Sequence, residues 1–364
     1  MEIRSEPFQH TEAIAQHPGG YQWWYFDAAS ASGKYHIVII FYVGNPFSTR
    51  YINALEKQGE AGPAPCKYPG ISISVYENGN PIYYSFTEFE EKDYSFEEGS
   101  KLKMGAHIME VRQTDRGAAY WLCLKEQLPC GDQLEADLIF ESRQDQQRNN
   151  GPDNMAESHI WNLAQPRAQV EGTLRLALEG AGVSDRQLSF SGTGYHDHNA
   201  GKEPMKEEFT DWYWGRFHFQ SVTLIYYVKN QVDGSREHQA WLLDPNTNKV
   251  IENLREIELN DDSWSIFGLR SSRKLSLRFE QAQIEVQQST VVDNGPFYQR
   301  FLSQAFLSIP AEDVLESAEG ITEYIRPQRI HSRIFWPLVN MRIRQVHQKP
   351  HWVQRSKRLY QWTW

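Results

Sequence analysis

Long apolar runs are missing from this sequence: no stretch of roughly 18 apolar residues occurs, which excludes a membrane-spanning helix. Cysteine is scarce. Cys66, Cys123 and Cys130 are too few for a fully paired disulfide framework and lack zinc-site spacing, so a reducing, cytoplasmic setting is expected. The opening segment MEIRSEPFQHTEAIAQ has no apolar core and no cleavage pattern, so no signal peptide is expected there. Gly192-Thr-Gly194 lacks the third glycine and the following helix of a dinucleotide fingerprint. Basic residues are outnumbered 37 to 47, a formal charge of −10, which argues against nucleic acid as a partner.

Aromatic residues are abundant: 12 Trp, 18 Tyr and 18 Phe. That content favours strands and aromatic-lined cavities. Period-2 alternation dominates. Lys34–Val43 is a β-branched and aromatic run, and Ile71–Tyr76 alternates up to Asn78-Gly79, a hairpin turn followed by a return strand over Pro81–Phe89. Further short strands are expected at Ala106–Gln113, Ala119–Leu124, Gln133–Glu141, Gln169–Leu178 and Gln187–Ser191. A second set begins with the aromatic run Phe209–Asn230 and continues through Glu237–Leu243, Leu275–Phe279, Gln283–Gln288 and Ala305–Ile309. Helical patterns are confined to Ala311–Ser317 and Trp336–Gln348, and Gln58–Gly70 and Ser142–Asn154 read as loops. Many short strands with regular turns indicate an all-β, mainly antiparallel sandwich or barrel architecture. The pattern occurs twice, so two β-barrel domains are expected, 1–185 and 186–364, with no sequence repeat between them.

The last stretch differs in composition. No acidic residue follows Glu323, whereas nine Lys or Arg do, interleaved with Phe335, Trp336, Trp352, Tyr360, Trp362 and Trp364. The preceding 323 residues carry 28 basic and 47 acidic groups, about −19 by count. Lys, Arg and Trp together suit a membrane interface, giving peripheral membrane association through this C-terminal tail. The plainer role, that the tail covers the acidic body of its own protein, is preferred because both charges are already present in one chain.

Three segments carry chemistry. Ser191–Gly201 packs Tyr195, His196, Asp197, His198 and Asn199 between glycines. On a strand, Tyr195, Asp197 and Asn199 face one way, and His196 and His198 the other. A desolvated imidazole beside a carboxylate can move protons near neutral pH. No third and fourth ligand accompanies the His-x-His pair, so no metal is expected. The plain alternative is a polar turn tied by its own hydrogen bonds. Phe209–His218 places Trp212, Trp214, Arg216 and His218 on one face, and Asp211, Tyr213 and Phe217 on the other. Ordinary barrel packing explains most strand aromatics, but isolated buried charges such as Arg216 and Asp211 are costly. Tyr21–Asp27 has Trp23 and Tyr25 on one face and Trp24 and Phe26 on the other, with Asp27 expected to cap the following turn.

In this order, Trp23-Trp24-Tyr25-Phe26-Asp27, Gly192-Thr-Gly-Tyr-His-Asp-His-Asn199 and Trp212-Tyr-Trp-Gly-Arg216 resemble the carotenoid 1,2-hydratase (hydroxyneurosporene synthase) family, which includes related pericyclases. Trp161–Gly172 and Gly320–Pro327 are similar to the family as well. The family often has Trp or Phe after His-Asp-His-Asn, where this chain has Ala200, which implies a changed pocket. The resemblance implies two lipocalin-like barrels in tandem with a hydrophobic pocket at their junction. It also implies a cofactor-independent enzyme, a lyase or an isomerase/cyclase, acting on an isoprenoid or polyene by hydration, cyclisation or isomerisation of a C=C bond. The alternatives are ring closure by a pericyclase and a non-catalytic lipocalin-type carrier. His196 and Asp197 are expected to form the acid/base pair, with Tyr195 beside them and Asp211 as the alternative acid. Trp23, Trp24, Tyr25, His198, Asn199, Trp212, Trp214 and Arg216 are expected to bind the substrate.

Overall fold

The structure, a computed structural model, describes residues 12–58, 62–97, 100–115, 117–142, 159–179 and 186–364. About 60% of the described residues are strand, arranged as two strongly curled antiparallel half-barrel sheets with a few short helices, as the sequence pattern implies. The chain divides into two compact units: residues up to Pro204 with Trp336–Trp364 form the first, and Met205–Phe335 the second.

In the first unit the strands are β1 (Tyr21–Ser30), β2 (Tyr35–Val43), β3 (Pro69–Glu77), β4 (Asn80–Glu88), β5 (Tyr94–Glu97) and β6 (Lys101–Met104). They continue with β7 (His107–Thr114), β8 (Gly117–Gln127), β9 (Gln133–Glu141), β10 (His159–Ala177) and β11 (Arg186–Gly201). The second unit holds β12 (Phe209–His218), β13 (Thr223–Gln231), β14 (Arg236–Leu243), β15 (Val250–Asn253) and β16 (Glu256–Trp264). Its remaining strands are β17 (Arg270–Arg278), β18 (Gln283–Asn294), β19 (Tyr298–Ile309) and β20 (Val314–Ile325). Helices α1 (Glu12–Gln16), α2 (Thr49–Gln58), α3 (Trp336–Arg342) and α4 (Lys357–Gln361) and the short strand β21 (Arg344–Gln345) belong to the first unit.

The two sheets share one topology. The first runs β21-β4-β3-β2-β1-β11-β10-β9-β8-β7-β6-β5, the second β15-β14-β13-β12-β20-β19-β18-β17-β16. In each, four strands form a meander whose first strand then pairs with the unit's last long strand. All pairings are antiparallel except the two-residue parallel contact of β21 with β4. The β3–β4 turn has Asn78 and Gly79 at φ 49° and 76°, the paired left-handed positions of a type I′ hairpin.

Ring contacts show which side of the first sheet is concave. His196 on β11 meets Tyr120 on β8 at 4.3 Å, past two intervening strands, and Phe26 on β1 meets Tyr120 at 5.7 Å, past three. The concave side is therefore the core, holding Phe26, Ile39, Phe41, Ile73, Leu122 and Phe140, all fully buried. Each such side chain contributes about 1.5–3 kcal/mol. In the second unit Tyr213 and Phe217 join Leu224, Tyr226, Phe301 and Leu307 in a single core, so Trp212, Trp214 and Arg216 project from the convex side of β12.

Four expectations need adjustment. Residue 186 opens β11, a central strand of the first sheet, so the first unit continues to Pro204 and regains the chain from Trp336 onward. Over Ala311–Ser317 there is no α-helix: Pro310–Glu312 is a single 3-10 turn ended by Asp313 at φ 55°, and β20 follows with in–out alternation against β19. The helix at Trp336 stops at Arg342, where β21 begins. Asp27 caps no turn; it lies within β1, fully buried, between Val38 and Tyr195. The loop expected over Ser142–Asn154 lies, after Ser142, outside the described residues.

Candidate functional site

Strands β1, β11 and β10 are adjacent, and their pairing stacks functional side chains in rows. Asp197 lies between Tyr25 and Leu163, Asn199 between Trp23 and Trp161, and Tyr195 opposite Asp27. Gly194 makes this closeness feasible: a Cβ there would sit 2.7 Å from the Asp27 carbonyl oxygen and 2.7 Å from Phe140 Cε1.

On the convex side three donors converge on one carboxylate. Tyr195 Oη donates to Asp197 Oδ2 at 2.6 Å, Trp161 Nε1 donates to the same oxygen at 2.8 Å, and Asn199 Nδ2 donates to Oδ1 at 2.9 Å. Asp197 is 4% exposed and Tyr195 0%, so these bonds form out of water, where they are strongest. Tyr25 meets Tyr195 edge-on at 6.0 Å, and Tyr21 stacks on Trp23 at 5.4 Å. His159 lies 5.7 Å from Trp23, and its Nδ1 shares a 2.8 Å hydrogen bond with Tyr21 Oη. The result is a fixed carboxylate in an aromatic wall. A carboxyl group so held can carry or release a proton without moving. Aromatic faces stabilise a cation formed beside them.

His196 and His198 point the other way. The His196 ring lies flat on Phe26 at 3.8 Å, and its Nδ1 donates to the Tyr25 carbonyl oxygen at 2.9 Å. Burial pushes its pKa down to about 3, only partly opposed by that carbonyl, with His198 adding to the depression. It is a neutral core histidine at neutral pH. His198 stacks on Trp24 at 4.8 Å, with Nε2 3.3 Å from Gln22 Oε1. The expected His196–Asp197 acid/base pair is thus separated by the pleat: adjacent residues of one strand face opposite sides. Trp24 goes with the histidines, on the concave side.

In the second unit, Trp212, Trp214 and Arg216 share the convex side of β12 with Glu323 of β20, which pairs with Trp214 on one side and Arg300 on the other. Arg300 Nε lies 2.8 Å from Glu323 Oε1, and Tyr298 Oη donates to the same oxygen at 2.5 Å. Arg216 and Arg300 are 1% and 2% exposed. Asp211, also in this unit, accepts from Asn230 Nδ2 at 2.6 Å; burial raises its pKa and the Asn230 bond opposes the rise. Among the described residues no group of three or more His, Cys, Asp or Glu is arranged to hold a metal ion.

Trp161, His159, Glu323 and Arg300 are absent from the sequence-based site. Trp161 and His159 lie in the convex-facing alternation that begins β10, but their partners, Asp197 on β11 and Tyr21 on β1, are 36 and 138 residues away, which no local pattern reveals.

Comparison with known proteins adds a family. The model for the carotenoid hydratase CrtC matches residues 39–352. A hydroxyneurosporene dehydrogenase of Chlorobaculum tepidum is 30% identical over 353 residues, covering 92% of this chain and 90% of that protein. An acyclic carotenoid 1,2-hydratase of Thiocapsa roseopersicina is 28% identical over 214 residues, 58% of this chain and 47% of that one. Among solved structures, CghA in complex with Sch210972 is similar, with a TM-score of 0.55 and 11% identity over 89% of this chain and 97% of its own, a likeness of fold.

Proposed function

The chain belongs to the carotenoid hydratase CrtC family, and on that premise we propose that it adds water across a C=C bond of an acyclic isoprenoid polyene, with Asp197 as the proton donor. The observation that carries this reading is the convergence of Tyr195, Trp161 and Asn199 on a buried carboxylate set among Tyr25, Trp23 and Trp161. The Asp197 carboxyl gives its proton to the less substituted, CH carbon of the trisubstituted alkene, and the π pair becomes the new C–H bond. The tertiary cation that results is stabilised by the neighbouring aromatic faces. Water adds to the cation, and its surplus proton returns to Asp197, so the acid is regenerated and no other reactant is consumed. Tyr195 and Asn199 hold the carboxylate in place through both steps.

The names of the two relatives differ in chemistry, hydration against dehydrogenation, and so do their products. Incubation with an acyclic carotenoid followed by mass spectrometry separates them. A product heavier by one water supports hydration. A product lighter by two hydrogens overturns the reading in favour of oxidation, an isomeric product assigns cyclisation or isomerisation, and recovered substrate assigns a carrier. Hydration by the wild type and its loss in Asp197→Asn together support Asp197 as the acid.

A further inference from the structure

Residues 336–364 contain six Lys or Arg and no Asp or Glu, and the side chains of this segment fall into an inward and an outward set. One set is turned inward. Lys357 Nζ pairs with Asp132 Oδ1 at 3.0 Å, Arg344 Nη1 donates to the Gln127 carbonyl oxygen at 2.6 Å, and Tyr360 Oη donates to the Arg342 carbonyl oxygen at 3.0 Å. Val353 and Tyr360 are buried, and Trp364 packs on Tyr84 at 6.1 Å. Val353, Lys357, Tyr360 and Trp364 are thus the attached side chains of two short elements, the 3-10 turn Trp352–Arg355 and α4, and of the residues that follow.

The other set faces solvent. Arg355 ends the 3-10 turn Trp352–Arg355, and Arg358, Leu359 and Trp362 lie on or just after α4, beyond the extended Ser356; all four are exposed. Trp362 is 74% exposed, Leu359 41%, and Trp352 64%. Arg355 Nη2 reaches the Pro350 carbonyl oxygen at 3.5 Å and is otherwise directed outward with Arg358. Two largely exposed indole rings thus lie beside two exposed guanidinium groups, in a segment free of acidic residues.

We propose that Trp352, Arg355, Arg358, Leu359 and Trp362 form a docking surface for an anionic lipid bilayer. Trp rests favourably at the headgroup level, and Arg is attracted to anionic lipid at the same depth. The charge distribution supports the same occupant. The residues before 324 sum to about −19 by count, so an anionic surface repels the body and attracts this segment, orienting the molecule on approach. Five side chains fall well short of the roughly 20–30 residues a side of a stable protein interface, whereas attraction to an anionic bilayer accumulates residue by residue, at about 1 kcal/mol per Arg near the surface. The inference is independent of the reaction proposed above, although a substrate dissolved in lipid would give such docking a use.

The test is vesicle co-sedimentation of the full chain without carotenoid, using phosphatidylcholine vesicles with and without phosphatidylglycerol. Binding is expected with phosphatidylglycerol, weakening in high salt, with a blue shift of Trp emission. Arg355→Gln/Arg358→Gln is expected to lower partition about 25-fold, at about fivefold per Arg. Trp352→Ala/Trp362→Ala is expected to remove the blue shift. Both variants should keep the wild-type thermal midpoint and turn over detergent-dispersed substrate normally, since these side chains lie outside the Asp197 cluster. Equal partition of wild type and variants, indifference to phosphatidylglycerol, or no vesicle binding would overturn the proposal and leave the surface to another partner. Turnover lost in all proteins while vesicle binding persists would strike the hydratase reading alone.

Discussion

A single peptide bond separates His196 from Asp197, and the pleat of β11 sends one ring into the apolar core and the other side chain to the convex face. The alternation is legible in the sequence, which already places Tyr195, Asp197 and Asn199 together. What it conceals is Trp161, brought alongside only by long-range pairing of β10 with β11. Asp197→Asn is expected to lower kcat by about 10² or more, the usual worth of a positioned acid. Little stability should be lost: the amide oxygen can still accept from Tyr195 and Trp161, and Asn199 can turn its own oxygen toward the new NH2. Steady-state kinetics with a thermal melt checks both. Tyr195→Phe removes one donor to that carboxylate and should cost about tenfold in turnover. His196 makes a different prediction. Its pKa is about 3 in the folded state and near 6.5 unfolded, so the unfolded chain binds the extra proton between those values. Its contribution is fully present above about pH 6.5 and is lost as pH falls toward 3, on the order of a few kcal/mol. His196→Phe should flatten that part of the stability–pH curve, measured by urea unfolding at a series of pH values. An unchanged slope would mean another group sets it.

The two sheets also match at the level of elements. Asp197 on β11 faces Tyr25 on β1, and three residues earlier Gly194 faces Ala28. Glu323 on β20 faces Trp214 on β12, and three residues earlier Gly320 faces Phe217. Each unit thus carries a Gly-x-x-acid segment on its last long strand, opposite an aromatic first strand. No overall sequence similarity reveals this, because only the pairing register aligns the two. The acids then diverge: three neutral donors hold Asp197, while a guanidinium pairs with Glu323. The glycines are constrained alike. A Cβ at Gly320 would lie 2.2 Å from the Arg216 carbonyl oxygen. At Gly194 the nearest atoms are 2.6–2.7 Å away and include backbone. Either Gly→Ala change should force strand displacement and cost about 1–3 kcal/mol, the range for overpacking, read as a lowered urea midpoint. Most strands were visible in advance because half-buried antiparallel strands alternate, as Gln133–Glu141 does over its whole length. The Tyr195–Asn199 run was harder to assign: both its faces are buried and it is rich in polar residues, so it reads equally well as a loop.

Across the whole chain the distribution of charge explains why residues 336–364 return to the first unit. The sequence already contrasts an acidic body with an acid-free basic end, and the structure supplies the partners: Asp132 for Lys357 and Asp93 for His347, while the Val346 amide donates to the backbone carbonyl of Glu88. Composition alone could not choose among 47 acidic residues, since that choice depends on which carboxylates the curled sheet leaves at its β4 edge and beside the β8–β9 turn. Asp132 is the decisive one, because its side chain is fully buried and Lys357 is 19% exposed. Lys357→Met should therefore leave a buried carboxylate without its ammonium partner. The expected loss is about 2–3 kcal/mol, below the 3–5 of a fully enclosed pair, because Lys357 is partly hydrated and the Glu179 amide still donates to Asp132 at 2.7 Å. Asp132→Asn added to Lys357→Met should restore most of the loss, since an amide needs no counterion. Urea unfolding measures the coupling, and limited proteolysis shows whether residues 336–364 become the first cleaved. A single variant as stable as the wild type would mean that Tyr360 and Val353 hold this segment by packing alone.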